Sequence, residues 1–206
     1  MKSTKQRKYK TWQLAPLGVF LAAMLFIQRQ GGPESRLAYA QTQVDASASA
    51  KAFLTASRVL LHPRCVNCHP QGDHPLVGDH SRPHPMNIER GPNGTGGAGL
   101  LCSSCHQDKN LPGEHSPPGA PDWHLPTKKM PMIFQNRTPR QICEHLKDPS
   151  QNGGRALDQI IEHVRETPIV LWGWNPGEGR TPVPISHDAF VRAITEWITR
   201  GAACPE

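Results

Sequence analysis

The pattern C-x-x-C-H occurs twice in this chain, as Cys65-Val66-Asn67-Cys68-His69 and as Cys102-Ser103-Ser104-Cys105-His106. Cysteines three positions apart lie about one helical turn apart. Two such thiols can add to the two vinyl groups on one side of a porphyrin, and the histidine that follows can bind the iron. The pattern is therefore the attachment motif of c-type haem. We predict two covalently bound haem c groups, attached at Cys65, Cys68, Cys102 and Cys105, with His69 and His106 as iron ligands.

Other interpretations of these motifs explain less of the sequence. Paired C-x-x-C motifs can bind zinc, but 33 residues separate the two pairs here and zinc gives no role to both histidines. A thioredoxin-like motif requires neighbouring strands, and no strand pattern flanks either pair. The segment 94–99 matches G-x-G-x-x-G, but no strand precedes it and no long helix follows it. We interpret it as a flexible approach to the second motif.

The first forty residues have the layout of a secretory signal peptide. Five basic residues lie within residues 1–10, an uncharged and mostly apolar run covers residues 14–27, and Ala38-Tyr39-Ala40 forms an A-x-A cleavage pattern. The alternative is an uncleaved anchor, but 14 helical residues extend only about 21 Å, less than the roughly 30 Å of a hydrocarbon core. We predict a signal peptide at 1–40, no stable membrane span after cleavage, and a periplasmic dihaem domain at 41–206.

Composition argues against nucleic-acid binding and against a core filled by the chain alone. The net charge of +6 comes from the first forty residues, because residues 41–206 contain 16 basic and 16 acidic side chains. No basic surface for nucleic acid is therefore indicated. Hydrophobic residues make up only 36% of the chain. Two porphyrins would supply the missing apolar surface, and we expect the chain without haem to fold poorly.

Hydrophobic spacing predicts a mostly α fold with long irregular Pro/Gly-rich loops wrapped around the two haems. A flexible lead-in at 41–49 precedes a helix at 50–61, whose apolar face includes Phe53 and Leu54. Thr138-Pro139-Arg140-Gln141 begins a second helix with a capping box. Asn152 is the expected cap of a third helix and Ser186 of the last, which Gly201 ends. We assign the first haem to about 50–99, and the second haem with the C-terminal helices to about 100–206.

The second axial ligands are open at this stage. Residues 128–134, Lys-Lys-Met-Pro-Met-Ile-Phe, resemble the distal methionine loop of small soluble cytochromes c. That resemblance favours Met132, followed by Met130, for the second haem. For the first haem we favour Met86, with His84 as the next candidate. Nine histidines lie outside the two motifs, so bis-histidine ligation is a further alternative.

Two cysteines fall outside the haem motifs. In an oxidising compartment we expect Cys143 and Cys204 to form a disulfide, with two free thiols as the alternative. Closing a loop of about 60 residues would contribute on the order of 4 kcal/mol in the chain-entropy model.

Several further stretches carry a narrower resemblance over roughly residues 60–206. The strings RPHPMNIERGPNG, PPGAPDWHLP, KDPSQNGGR, VLWGWNPGEGR and GAACPE resemble small exported dihaem proteins labelled as an isoquinoline 1-oxidoreductase subunit. The resemblance implies a redox partner, a molybdenum hydroxylase that passes electrons to a cytochrome. No segment of this chain is typical of a molybdopterin site, so we do not expect the chain to be the hydroxylase.

The motifs favour an electron carrier over an enzyme. We predict a periplasmic dihaem c-type cytochrome, without catalytic residues, that transfers electrons between a dehydrogenase and the respiratory chain. One alternative is a small dihaem peroxidase, for which Glu89 and Glu114 are the only acid–base candidates. The other alternative is a haem-based sensor with an open iron position.

Overall fold

The computed structural model describes residues 33–206 and confirms a mostly helical chain. Six α-helices, several 3-10 turns and two very short β ladders are present in this range. The helices are α1 (Pro33–Leu60), α2 (Pro63–Val66), α3 (Pro139–Lys147), α4 (Leu157–Glu166), α5 (Pro168–Leu171) and α6 (His187–Thr199). The long segment between α2 and α3 contains both ladders and most of the proline and glycine residues.

Helix α1 is longer than the sequence pattern predicts. Residues 41–49, which we expected to be a flexible lead-in, are helical, and that prediction is wrong. The segment looks like a linker because it is small and polar, but its small side chains allow close packing. Ser49 is fully buried, and its hydroxyl donates to the carbonyl of Trp197 at 2.7 Å. Tertiary contact with α6 therefore stabilises a helix that local hydrophobicity does not indicate.

The buried face of α1 packs along α6 and forms the centre of the core. Phe53 is fully buried, and its ring meets that of Trp197 edge-on at a centroid distance of 4.9 Å. Leu54, which we expected on this face, is 45% exposed and that prediction is wrong. The buried positions 52, 53, 56, 59 and 60 form one stripe at helical spacing, and Leu54 lies on the solvent side of that stripe. The remaining core residues from α1 are Ala52, Ala56, Val59 and Leu60.

The caps of the C-terminal helices agree with the sequence, with one exception. Thr138 and Gln141 form the predicted capping box of α3, and Ser186 caps α6 by accepting from the amide of Ala189. Asn152 does not cap α4, so that prediction is wrong, and the Gln159 side chain bonds the amide before α4 instead. The buried Asn152 amide group donates to the carbonyls of residues 146 and 155 and so joins the end of α3 to the start of α4.

A disulfide fastens the end of the chain to the helical core. The predicted bond between Cys143 of α3 and Cys204 is confirmed. Gly201 has a φ of +95°, as expected for the residue that ends α6. The indole N–H of Trp197 donates to the carbonyl of Ala203 at 3.1 Å, so the tail folds back over α6.

The irregular segment is held together by paired backbone groups and one buried cation. Strand β1 (Leu76–Val77) pairs with β2 (Arg82–Pro83), and β3 (Gly96–Gly97) pairs with β4 (Leu100–Leu101), both antiparallel. Arg90 is fully buried and donates to three backbone carbonyls, at 2.8 to 3.3 Å, of residues 72, 126 and 131. This arginine connects three stretches of loop that have no regular ladder between them.

The basic segment and the apolar run of the predicted signal peptide fall in residues 1–32, outside the described part of the chain. The predicted cleavage point after Ala40 lies within α1. None of the helices within residues 33–206 has an apolar stretch long enough to span a bilayer.

Candidate functional site

The first C-x-x-C-H motif begins in α2, directly after α1. Pro63 starts this helical turn, and the amides of Cys68 and His69 both donate to the carbonyl of Cys65 at 3.1 Å. The two thiols are therefore held about one turn apart, as the spacing predicts. Burial raises the pKa of Cys65 to about 12 and that of Cys68 to about 11. Both thiols are consequently uncharged at neutral pH and face an apolar environment.

The histidine of the first motif is held by one ring nitrogen. Nδ1 of His69 lies 2.7 Å from the carbonyl oxygen of Met132, so Nδ1 carries the proton and donates it. The ring of Phe134 stacks on the imidazole at a centroid distance of 4.1 Å and an angle of 17°. Burial lowers the pKa of His69 to about 3, so the ring is neutral and Nε2 has a lone pair. An imidazole in this state is a metal ligand held in orientation by its other nitrogen.

The second motif follows the β3–β4 hairpin. The segment 94–99, which we interpreted as a flexible approach, contains strand β3, and the amide of Cys102 bonds back to the carbonyl of Thr95 at 3.0 Å. A 3-10 turn covers Cys102–Ser104, and the amide of His106 donates to the carbonyl of Cys102 at 2.9 Å. Cys102 is buried, whereas Cys105 is exposed. The hairpin thus presents the second pair of thiols at the surface of a cavity.

The second histidine is held in the same way as the first, by unrelated residues. Nδ1 of His106 lies 2.7 Å from the carbonyl oxygen of Pro118, and the ring stacks on Trp123 at 4.4 Å and 3°. Burial lowers the pKa of His106. Trp123 in turn meets Trp172 edge-on at 5.1 Å. Both motifs therefore present a neutral imidazole whose Nδ1 is bonded to a backbone carbonyl and whose face is covered by an aromatic ring.

A cavity of about 690 Å³ joins the two motifs. Cys68 of the first motif lines it together with Cys102, Cys105 and His106 of the second. Most of the lining is apolar and comes from the loops between α2 and α3, with Trp172 on one side. Its size lies within the roughly 300–1,000 Å³ of sites that bind cofactors and drug-sized molecules.

Three arginines and one aspartate line the cavity: Arg64, Arg82, Arg180 and Asp79. Arg64 is buried and forms an ion pair with Asp79, which also accepts a hydrogen bond from the hydroxyl of Thr181 at 2.6 Å. The guanidinium lies over the ring of Trp172, 5.7 Å from its centroid. Nε of Arg64 is buried, and no group in residues 33–206 accepts its hydrogen bond. Arg180 lines the same cavity.

The candidate second axial ligands lie near different motifs from those to which the sequence analysis assigned them. Met132, assigned to the second haem, lies with its backbone against His69 of the first motif, and it does not line the cavity that contains His106. Met86 and His84, assigned to the first haem, line the cavity beside His106. The assignment of these residues to the two haems stays a prediction, and the contacts of Met132 with His69 and of His84 with His106 give the opposite pairing as an alternative. The thioether of Met130 accepts from the amide of Gly153 at 2.7 Å.

Sequence reasoning missed the residues that support the two histidines. Phe134 and Pro118 lie 65 and 12 positions from the histidines they contact. Phe134 ends the methionine-containing segment 128–134, and Pro118 and Trp123 both belong to the string PPGAPDWHLP, so these strings were the available signals, although neither indicates which histidine is contacted. Within residues 33–206, His, Cys, Asp and Glu side chains form no group of three or more that could hold a metal ion. No family model, curated protein or solved structure matches this chain.

Proposed function

We propose that this chain is an exported dihaem c-type cytochrome that carries electrons between redox proteins. The proposal depends mainly on one observation: His69 and His106 make the same kinds of contact with their surroundings. In each, Nδ1 lies 2.7 Å from a backbone carbonyl and an aromatic ring covers one face. This is the arrangement that orients a metal-binding imidazole through its outer nitrogen. Each histidine also follows a pair of thiols placed one turn apart.

The volume and lining of the cavity between the motifs support the proposal of a bound porphyrin. Three motif cysteines lie on its wall, and the wall is mostly apolar. Arg64 supplies a buried cation with an unused donor, Nε, on the same wall. A carboxylate such as a haem propionate would accept a hydrogen bond from that nitrogen, and Arg180 adds a second positive charge to the same wall. An apolar plate with two carboxylates thus matches the residues present.

The protein residues have defined tasks in this proposal. The four motif cysteines would hold the porphyrin by thioether bonds, each formed when a thiol adds across a vinyl group and its proton goes to the other vinyl carbon. His69 and His106 would bind the metal through Nε2, and the carbonyls of Met132 and Pro118 hold the two rings in orientation. When bound, the group supplies an iron that accepts one electron and passes it on. We assign no acid–base residue, so the chain acts as a carrier and not as an enzyme.

The shared cavity also supports electron transfer between the two motifs. Cys68 and Cys102 belong to different motifs and line the same cavity, so groups attached to them would be neighbours. The cavity mouth has exposed apolar side chains, Met86 at 67% and Leu101 at 54%. Such a surface suits transient contact with a redox partner. The resemblance noted above makes a molybdenum hydroxylase the proposed donor, and a respiratory-chain component the acceptor, in the periplasm.

Haem counting in cysteine-pair variants tests the attachment. The protein should be matured in a host that attaches c-type haem, and haem should be measured by pyridine haemochrome absorbance and by mass. We expect two haems in the wild type, one after alanine replacement of the cysteines in either 65–69 or 102–106, and none after both. The matched control is Cys143→Ala/Cys204→Ala, which should retain two. Colourless protein, or haem that extracts into acid–acetone, would refute the proposal.

Kinetics separate a carrier from the two alternatives. A carrier should exchange electrons with one-electron dyes on the stopped-flow timescale and should oxidise no more than a stoichiometric amount of donor when peroxide is added. Sustained peroxide turnover by the isolated reduced protein would identify a peroxidase instead. Tight carbon monoxide binding at both centres would identify a sensor.

A further inference from the structure

His84 lies opposite the histidine of the second motif. The ring centroids of His84 and His106 are 6.2 Å apart, and both side chains line the cavity. A metal bound between two imidazoles requires ~2 Å for each metal–nitrogen bond and ~1 Å from each nitrogen to its ring centre, or ~6 Å in all. The two ring planes are tilted by 56° to each other, so the rings are not stacked face to face. The observed separation therefore equals the space that one metal ion needs.

The ring nitrogens of His84 are disposed as those of a ligand. Nδ1 lies 2.7 Å from the carbonyl oxygen of Pro85, so it donates its proton there and Nε2 is the nitrogen with a lone pair. His106 uses its Nδ1 in the same way with Pro118. The two Nε2 atoms are thus the only acceptor nitrogens that these rings offer to the cavity.

The backbone holds His84 at this position. Its amide donates to the carbonyl of Pro75 at 3.1 Å, directly beyond the β1–β2 ladder. The ladder is joined to the first motif, because the amide of Leu76 bonds the carbonyl of Asn67 at 3.0 Å. His84 therefore reaches the second motif from a loop that is anchored on the first. The neighbouring Met86 is 67% exposed, which is unfavourable for a thioether ligand that needs an apolar environment.

We propose that Nε2 of His84 is the second axial ligand of the iron bound by His106, which makes the second centre bis-histidine. This inference rests on the proposed function, because it requires haem at residues 102–106. A bis-histidine centre has both axial positions filled by strong nitrogen donors, so it should be low-spin and closed to external ligands. It should also have a lower reduction potential than a His/Met centre, since methionine ligation raises the potential.

Spectroscopy of four variants tests the ligand directly. The full matured chain should be prepared as wild type, His84→Ala, His84→Met, Met86→Ala and His80→Ala. His80 is the matched control, because it is exposed and lines the same cavity. Near-infrared and electron paramagnetic resonance spectra of the oxidised protein identify the axial ligands. Titration of the reduced protein with carbon monoxide counts open positions, and haem content is measured on every sample.

We expect His84→Ala to remove the bis-histidine signal of one haem per chain and to add one carbon monoxide site per chain. His84→Met should produce one new methionine–iron absorption band, and His80→Ala and Met86→Ala should match the wild type. Two haems with unchanged spectra in His84→Ala would overturn the inference while leaving the proposed function intact. Wild type without haem would instead refute the proposed function. If His84→Ala fails to mature, absence of the new band in His84→Met overturns the inference.

Discussion

Removal of the Cys143–Cys204 disulfide should be among the most destabilising changes available outside the haem motifs. The bond joins residues 61 positions apart. Closing a loop of that length removes about 14 cal/mol/K of entropy from the unfolded chain, or about 4 kcal/mol at room temperature. Cys143 is also fully buried in the core. The double variant Cys143→Ala/Cys204→Ala should therefore lose about 4 kcal/mol of unfolding free energy, and Tm should fall by roughly 8–16 °C.

The assay is equilibrium denaturation of the matured protein, followed by circular dichroism and by haem absorbance. Wild type with added reductant is the second perturbation, and it should approach the stability of the double variant. Ser49→Ala is a useful comparison, because it loosens the same tail by removing the hydroxyl that bonds Ala203 at 2.9 Å, without changing loop closure. It should cost only about 1 kcal/mol. A loss below 1 kcal/mol in the double variant would refute the loop-closure reasoning.

Two further predictions concern Gly94, directly before the β3–β4 hairpin, and Asp79 on the cavity wall. Gly94 has a φ of +83°, and a Cβ there would collide with the carbonyl of Leu125. Gly94→Ala should therefore lower the unfolding free energy by more than about 2 kcal/mol and impair haem attachment at the second motif. The control is Gly72→Ala, at φ +105° with no atom within 4 Å of its Cβ, which should lower the unfolding free energy by about 1 kcal/mol in the same denaturation assay. Asp79→Asn leaves buried Arg64 without its counter-ion and should cost about 2 kcal/mol at pH 7, because the aspartate is partly exposed. Hydrogen bonds from the hydroxyl and the amide of Thr181, together with the nearby Arg64 guanidinium, lower the pKa of Asp79 below its ordinary value of 3.8. The contribution of Asp79 to the unfolding free energy is therefore complete above pH 3.8 and is lost as the pH falls through the lowered pKa of the folded state. The difference in unfolding free energy between wild type and Asp79→Asn should therefore narrow only below about pH 4, and a difference that narrows near pH 6 would contradict this assignment.

Local patterns in the sequence account for the features that depend on neighbouring residues. The two thiols of each motif are one turn apart because the spacing is three. The capping box at Thr138 and the cap at Ser186 form from side chains within three residues of the amides they bond. The disulfide follows from the number of cysteines, since only two of the six lie outside the C-x-x-C-H motifs. These features could be predicted without knowing which distant segments of the chain are in contact.

The tertiary structure decided which segment meets which motif. The sequence by itself determined two C-x-x-C-H motifs, a mostly helical chain and one disulfide. It did not determine that Met132 supports His69, 63 residues away, or that His84 faces His106. Those contacts depend on the path of a Pro/Gly-rich loop, which has no periodicity from which a direction can be inferred. The path is set by distant hydrogen bonds such as those of Arg90, and these exist only once the loops are packed together.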